Sequence, residues 1–187
     1  MRSLIQLNII GFALAVALAL PAHAQQLPEP KTTTLVTVIG DITKTNRGPY
    51  NEARDVFFKY LEIDFTKAAA FDAAMLASLG QHEVKTDFPM GGEVRRFTGP
   101  LLADVLTAVG ATGTTATITA IDGYSAELSI AEIKTFGVIL ALAEDGKPFG
   151  VGDYGPAWVI FPRLENPALK GRNDDGWVWA VVAISVN

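Results

Sequence analysis

The sequence contains no cysteine and only two histidines, and these absences exclude whole classes of chemistry. Without thiols there is no disulfide, no cysteine nucleophile and no iron–sulfur ligation, so stability must come from packing. A zinc or copper site built from His and Cys needs three or four such ligands, more than this chain offers. His23 falls in a predicted leader, and we interpret His82 as a polar strand-edge residue and not as a catalyst.

The sequence also lacks the glycine motifs that cradle phosphates or present a nucleophile. Gly91-Gly92 and the glycines of 150–155 match neither a Walker A motif nor a dinucleotide fingerprint. The segment 123–127 lacks the second glycine of a nucleophile elbow. We interpret Asp174-Asp175 and Glu144-Asp145 as solvated turn residues, with a hard-cation site as the weaker alternative. No catalytic residue and no metal ligand is therefore predicted.

The sequence has fewer basic than acidic residues. It contains 15 Lys and Arg and 20 Asp and Glu, which gives a net charge of −5 at pH 7. Removing the predicted leader removes Arg2 and no acid, which leaves 14 bases against 20 acids and a net charge of −6. An acidic chain has no electrostatic reason to bind nucleic acid or an anionic membrane surface. We expect neither as a partner.

Residues 1–24 have the pattern of a cleaved signal peptide. Arg2 gives a positive start, 9–20 is a nearly unbroken apolar run, and Ala22-His23-Ala24 offers a small-x-small cleavage site. The run is shorter than the ~20 residues that a membrane span needs. We therefore predict export to the periplasm or secretion, an extended lead-in over 25–33, and one domain over 34–187.

The segment 97–110 predicts the end of a strand, a tight turn and a short buried helix. Pro100 is expected at the first helical position, where its missing N–H costs nothing. Gly110 is expected to end the helix in a left-handed conformation. The apolar residues at helical spacing are Leu101, Leu102, Val105, Leu106 and Val109.

The remaining elements are short strands and few helices, which predicts the α+β class with its sheet order left open. Asp122-Gly123 between two alternating runs predicts a hairpin, and Ser129 with Glu132 predicts a capping box that begins a helix. Thr66 is predicted to cap a helix over 68–79, and 162–176 is predicted to be a long loop. The predicted strands are 32–39, 56–65, 82–88, 93–97, 115–121, 124–128, 136–143, 157–161 and 177–186.

Four segments carry a resemblance to a known family through their order along the chain. They are FTGPLLADVLTAVGA, TITAIDGYSAEL, ILALAEDGKPFGVGDYGPAWVIFP and DGWVWAVVAISV. This order resembles the sulfite-oxidase-type molybdopterin-binding domain, with its turn-and-helix, hairpin and final tryptophan-bearing strand. The resemblance covers about residues 34–187 and implies the mixed, strand-rich fold of that domain.

The resemblance also implies what is missing. In catalytic members of the family a cysteine thiolate ligates the molybdenum, and the corresponding segment here is 84–89, with the ligand position near Asp87. No thiol exists to replace it, and a carboxylate does not reproduce thiolate donation to a redox-active metal. No cofactor is expected, and molybdopterin is implied by the resemblance alone.

A cleft that binds a small planar or anionic molecule is the site the resemblance leaves open. Aromatic faces and guanidinium groups suit such a ligand. The predicted cofactor- or ligand-binding residues are Asp87, Arg95, Arg96, Tyr154, Trp158, Arg163 and Arg172.

Three hypotheses follow for the function. The first is an exported, non-catalytic module that binds a small molecule or a periplasmic protein partner, as a sensor for example. The second is a molybdopterin-dependent oxidoreductase with an atypical metal ligand. The third is a purely structural or interaction protein whose pocket has filled in.

Overall fold

A computed structural model describes residues 26–187. The predicted signal peptide at 1–24 lies outside the described residues. The lead-in is held against the body of the protein, because the backbone N–H groups of Lys31 and Thr32 donate to the Asp72 carboxylate at 2.8 and 3.0 Å.

Short strands dominate the described chain, and the predicted α+β class is confirmed. The strands are β1 (Thr34–Gly40), β2 (Ala68–Asp72), β3 (His82–Asp87), β4 (Val94–Gly99), β5 (Thr115–Ala120), β6 (Ser125–Ser129), β7 (Ile139–Ala141), β8 (Ala143–Glu144), β9 (Lys147–Pro148), β10 (Trp158–Ile160) and β11 (Val181–Val186). The helices are α1 (Val56–Tyr60), α2 (Ala73–Ser78), α3 (Leu102–Ala108) and α4 (Ile130–Phe136), with a 3₁₀ turn at Pro167–Leu169. None of the helices in residues 26–187 is long and apolar enough to cross a membrane.

The largest sheet has the strand order β2-β1-β11-β5-β6. Its central pair, β1 and β11, runs parallel with Val38 opposite Ile184, and the other pairs are antiparallel. Both central strands are rich in β-branched residues that are buried, as expected for strands inside a covered sheet. The β5–β6 hairpin at one edge turns at Asp122-Gly123, which confirms that prediction.

A second sheet, ordered β3-β4-β8-β9, lies beside the short β7–β10 pair. The two are joined where β4 ends, because the Leu140 N–H donates to the Pro100 carbonyl at 2.9 Å. The confirmed strand β3 ends at Asp87, opposite Val94 at the start of β4. The sheet therefore places Asp87 next to the turn at 89–92.

Helix α3 buries the apolar face that the sequence predicts. Leu102, Val105, Leu106 and Val109 are fully buried, and Gly110 has the expected positive φ of 60°. The placement of Pro100 at the first helical position is wrong, because Leu101 is the N-cap and the Pro100 carbonyl is engaged by Leu140.

Further element predictions are also wrong, and in the 68–72 segment strand pairing overrides the local pattern. The predicted strand over 56–65 begins as helix α1. The first part of the helix predicted over 68–79 is instead strand β2, which pairs with β1, and Asp72 rather than Thr66 caps α2 by accepting from Met75 N–H at 2.9 Å. The strand predicted from Phe136 begins at Ile139, since Phe136 still belongs to α4.

Helix α4 begins after Ser129 as predicted, but the capping box does not form. The Ser129 side chain makes no capping hydrogen bond. Except for the 3₁₀ turn at Pro167–Leu169, the predicted loop over 162–176 has no regular secondary structure. This loop returns to the end of β3, where Arg163 and Asp174 contact Asp87 and Met90.

Gly99 lies at a close approach between the backbones of β4 and β7. A Cβ at this residue would lie 2.0 Å from the Leu140 carbonyl oxygen. We predict that Gly99→Ala lowers the free energy of unfolding by about 1–3 kcal/mol, because β4 and β7 must separate. Urea denaturation measures this change.

Gly48→Ala is the matched control, since a Cβ there meets nothing within 4 Å. Its unfolding free energy should stay within about 0.5 kcal/mol of the wild-type value. Equal effects of the two substitutions would contradict the close approach of β4 and β7.

Candidate functional site

The candidate site is organised around Asp87, the last residue of β3. The chain turns immediately after it, and the Gly92 N–H donates to the Pro89 carbonyl at 2.7 Å. Within this turn the Gly91 N–H donates to Asp87 Oδ2. One oxygen of the carboxylate is therefore held by the turn that follows it.

The other oxygen of Asp87 is held by Arg163, which lies 76 residues further along the chain. Arg163 Nε donates to Asp87 Oδ1 at 2.9 Å, and its Nη2 donates to the Asp87 carbonyl at 2.9 Å. Nη1 donates to the Arg172 carbonyl at 2.9 Å and to the Asp174 carboxylate. The guanidinium is buried, with 4% of the side chain exposed, and it lies 4.5 Å from the centre of the Trp177 ring.

Asp174, in the long loop over 162–176, is the third member of this set of contacts. Its second carboxylate oxygen accepts from the Met90 N–H at 2.9 Å, so one side chain joins the loop to the turn after β3. We call Asp87, Arg163 and Asp174 the buried ion-pair network. It holds two carboxylates with one guanidinium.

The network favours the ionised form of Asp87. Burial raises the pKa of this carboxyl, but the hydrogen bonds from Gly91 N–H and Arg163, with the charge of Arg163, outweigh burial and leave the pKa below its ordinary value. Asp87 is therefore a structural anion.

The other predicted arginines have carboxylate partners of their own. Arg95 Nη1 lies 2.9 Å from Glu144 Oε1, Arg96 Nε lies 3.4 Å from Asp145 Oδ1, and Arg172 Nη1 lies 3.2 Å from Glu132 Oε1. The structure therefore brings Asp87 and Arg163 together, whereas Arg95, Arg96 and Arg172 are distributed over other ion pairs. The prediction that these residues bind a ligand stays a prediction.

The two predicted aromatic residues stack on each other. Trp158 is fully buried and its Nε1–H donates to the Trp177 carbonyl at 3.0 Å. The Tyr154 ring lies over it at a centroid distance of 4.2 Å. Trp158 is thus a core residue, while Tyr154 borders a cleft of about 310 Å³ lined by Glu144, Asp145, Lys147, Pro148, Phe149, Asp153 and Tyr154.

These residues do not fit a molybdenum cofactor. Both oxygens of the Asp87 carboxylate are engaged, the chain has no thiol, and no group of three metal-ligating side chains occurs within residues 26–187. Each of the predicted arginines that would meet an anionic cofactor has a carboxylate partner.

A second cleft, of about 300 Å³, was not predicted as a site. It lies between the β5–β6 hairpin, the turn after β3 and the end of the long loop, and we call it the acidic cleft. The Asp-Gly hairpin and the acidic pair at 174–175 were each visible in the sequence, but nothing local showed that they meet. Its lining residues are Phe88, Ala120, Asp122, Tyr124, Asp174, Asp175, Trp177 and Trp179.

Comparison with known proteins gives a likeness in fold. No protein-family model and no curated protein sequence matches the chain. The structure is similar to the sulfane dehydrogenase SoxCD from Paracoccus pantotrophus, a sulfite-oxidase-type protein, with a TM-score of 0.55 and 11% sequence identity. The match covers 82% of this chain and 38% of that one, so this chain spans well under half of the other. The likeness confirms the expected fold and carries no activity with it.

The ionised state of Asp87 predicts how stability depends on pH. A carboxyl whose pKa is depressed by folding contributes stability above its unfolded pKa of about 3.9, and this contribution is lost as the pH falls through the lower folded value. We predict that Asp87→Asn flattens the acid side of the curve of unfolding free energy against pH. Urea denaturation at a series of pH values measures it.

The exposed Asp64 provides a control, because Asp64→Asn removes a carboxylate outside the network. That variant should keep the wild-type slope. If Asp87→Asn also kept the wild-type dependence of the unfolding free energy on pH, the assignment of Asp87 as a structural anion would be contradicted.

Proposed function

We propose that the protein is an exported, non-catalytic ligand-binding module built on a sulfite-oxidase-type fold. The observation that carries the proposal is the buried ion-pair network, which engages Asp87 where the family resemblance implies the metal ligand. The leader pattern of residues 1–24 supports export to the periplasm or secretion.

The network argues against the oxidoreductase hypothesis on energetic grounds. A metal at Asp87 would have to displace Arg163 and leave its buried guanidinium short of one carboxylate. Removing one partner of a buried ion pair costs about 3–5 kcal/mol. A carboxylate would also supply a harder donor than the thiolate that catalytic members use.

The open clefts support binding over a purely structural role. The acidic cleft has the size of a small-molecule site. Its wall residues Tyr124 and Trp179 are 51% and 40% exposed, so both rings are accessible to a ligand in the cleft. A small ligand is one partner that would cover them, and a periplasmic protein is the alternative.

Metal and pterin content test the proposal directly. The chain with its leader is produced in a bacterial host that makes and exports molybdoenzymes, and is purified from the periplasm. We predict molybdenum far below one atom per chain by mass spectrometry and no pterin fluorescence after denaturation, because the residues at Asp87 do not fit the cofactor.

A sulfite-oxidase-type enzyme prepared in the same host is the positive control for cofactor loading. Stoichiometric molybdenum in this protein, with transfer of electrons to an artificial acceptor, would overturn the proposal and favour the oxidoreductase. Recovery of the protein only in the cytoplasm with its leader uncleaved would overturn the part of the proposal that concerns export.

A further inference from the structure

Within residues 26–187, carboxylates line the acidic cleft and no positively charged side chain does. Asp122, Asp174 and Asp175 all border it, and its remaining lining residues are aromatic or alanine. Asp174 is paired with Arg163, but that guanidinium is shared with Asp87, so the network itself keeps a net negative charge. Arg163 therefore does not neutralise the cleft.

The other two carboxylates accept hydrogen bonds from neutral groups alone. Asp122 Oδ1 accepts from the Tyr124 N–H at 3.0 Å, and Asp175 Oδ2 accepts from the Asn173 amide. In the described part of the chain neither carboxylate forms an ion pair. Because low-dielectric walls focus such charge, the cleft attracts cations and repels anions.

The aromatic walls of the cleft are held in place before any ligand arrives. The Tyr124 hydroxyl donates to the Asp175 carbonyl at 2.9 Å, which fixes the hairpin against the loop. Phe88 stacks on Trp177 with ring centroids 5.8 Å apart, and Trp179 meets Tyr154 edge-on at 6.1 Å. Aromatic faces beside carboxylates favour alkylated ammonium groups through cation–π attraction.

An unpaired donor gives a second, independent indication of a ligand. Trp177 borders the cleft and is 2% exposed, yet its Nε1–H has no acceptor among the described residues. A buried donor without an acceptor costs free energy, and such a group is commonly satisfied by a ligand or an ordered water. A ligand oxygen that reached this N–H from the cleft would satisfy it.

We infer that the acidic cleft binds a small organic cation that carries a hydrogen-bond acceptor, such as an alkylated ammonium with a hydroxyl or carbonyl oxygen. The inference rests on the proposed function and specifies its ligand class, which differs from the anionic ligand expected from the arginines. A metal ion is a poorer occupant, since within residues 26–187 the acids do not form a group of three metal-ligating side chains.

Choline and its neutral carbon analogue 3,3-dimethylbutan-1-ol test the inference with one change, the positive charge. The exported protein, labelled with ¹⁵N, is titrated while the indole N–H signals of Trp177 and Trp179 are followed. We expect saturable shifts with choline and binding of the alcohol at least about tenfold weaker. Tetramethylammonium, which lacks the oxygen, should bind more weakly than choline and leave the Trp177 signal less shifted.

Substitutions place the site. Asp122→Asn and Tyr124→Ala, both at exposed positions of the hairpin, should weaken choline binding by about tenfold. Tyr60→Ala removes an aromatic residue that is 82% exposed outside the cleft, and it should leave the affinity unchanged.

Equal affinities for choline and the alcohol would overturn the inference, as would the absence of any saturable shift with choline up to about 10 mM. Binding of a lysine-rich peptide without binding of choline would overturn it in favour of a protein partner. Saturable binding of an anion or a neutral molecule in the cleft would overturn the cation class and leave the binding module standing. Stoichiometric molybdenum would instead refute the proposed function itself.

Discussion

The burial of one guanidinium, that of Arg163, sets the constraint on which this part of the molecule depends. An arginine removed from water needs its charge and its donors satisfied. Here Asp87 at the end of β3, Asp174 in the long loop and two backbone carbonyls supply those partners. A loop with almost no regular structure thereby gains a fixed position against the second sheet, and the aromatic residues that follow it gain theirs.

The same constraint sets what the end of β3 does in this fold, which is similar to that of a sulfite-oxidase-type protein. With no cysteine in the sequence, the end of β3 carries a carboxylate, and that carboxylate is used to hold the chain together. The charge of Asp174 and the turn after β3 then form one wall of the acidic cleft. Structural stability and the negative character of the proposed binding site thus have a common source.

The most accurate predictions from the sequence concern features that depend only on a short local segment. The α3 face and the Asp122-Gly123 hairpin were confirmed because periodicity and turn chemistry are local. The segment 68–72 was misassigned because its state depends on pairing with the distant strand β1. Asp87 and Arg163 were both selected as site residues, but their pairing across 76 residues has no local signal. For the same reason the acidic cleft, which joins a hairpin to a distant loop, was not predicted.

A double-mutant cycle between Asp87 and Arg163 tests the central claim most directly. The free energies of unfolding of Asp87→Asn, Arg163→Met and the double variant are compared with that of the wild type. If the two side chains form the buried pair, the double variant should be more stable than additivity predicts by about 2 kcal/mol or more, because each single change leaves the other buried group short of one charged partner. Additivity to within about 0.5 kcal/mol would show that the pair does not exist in solution.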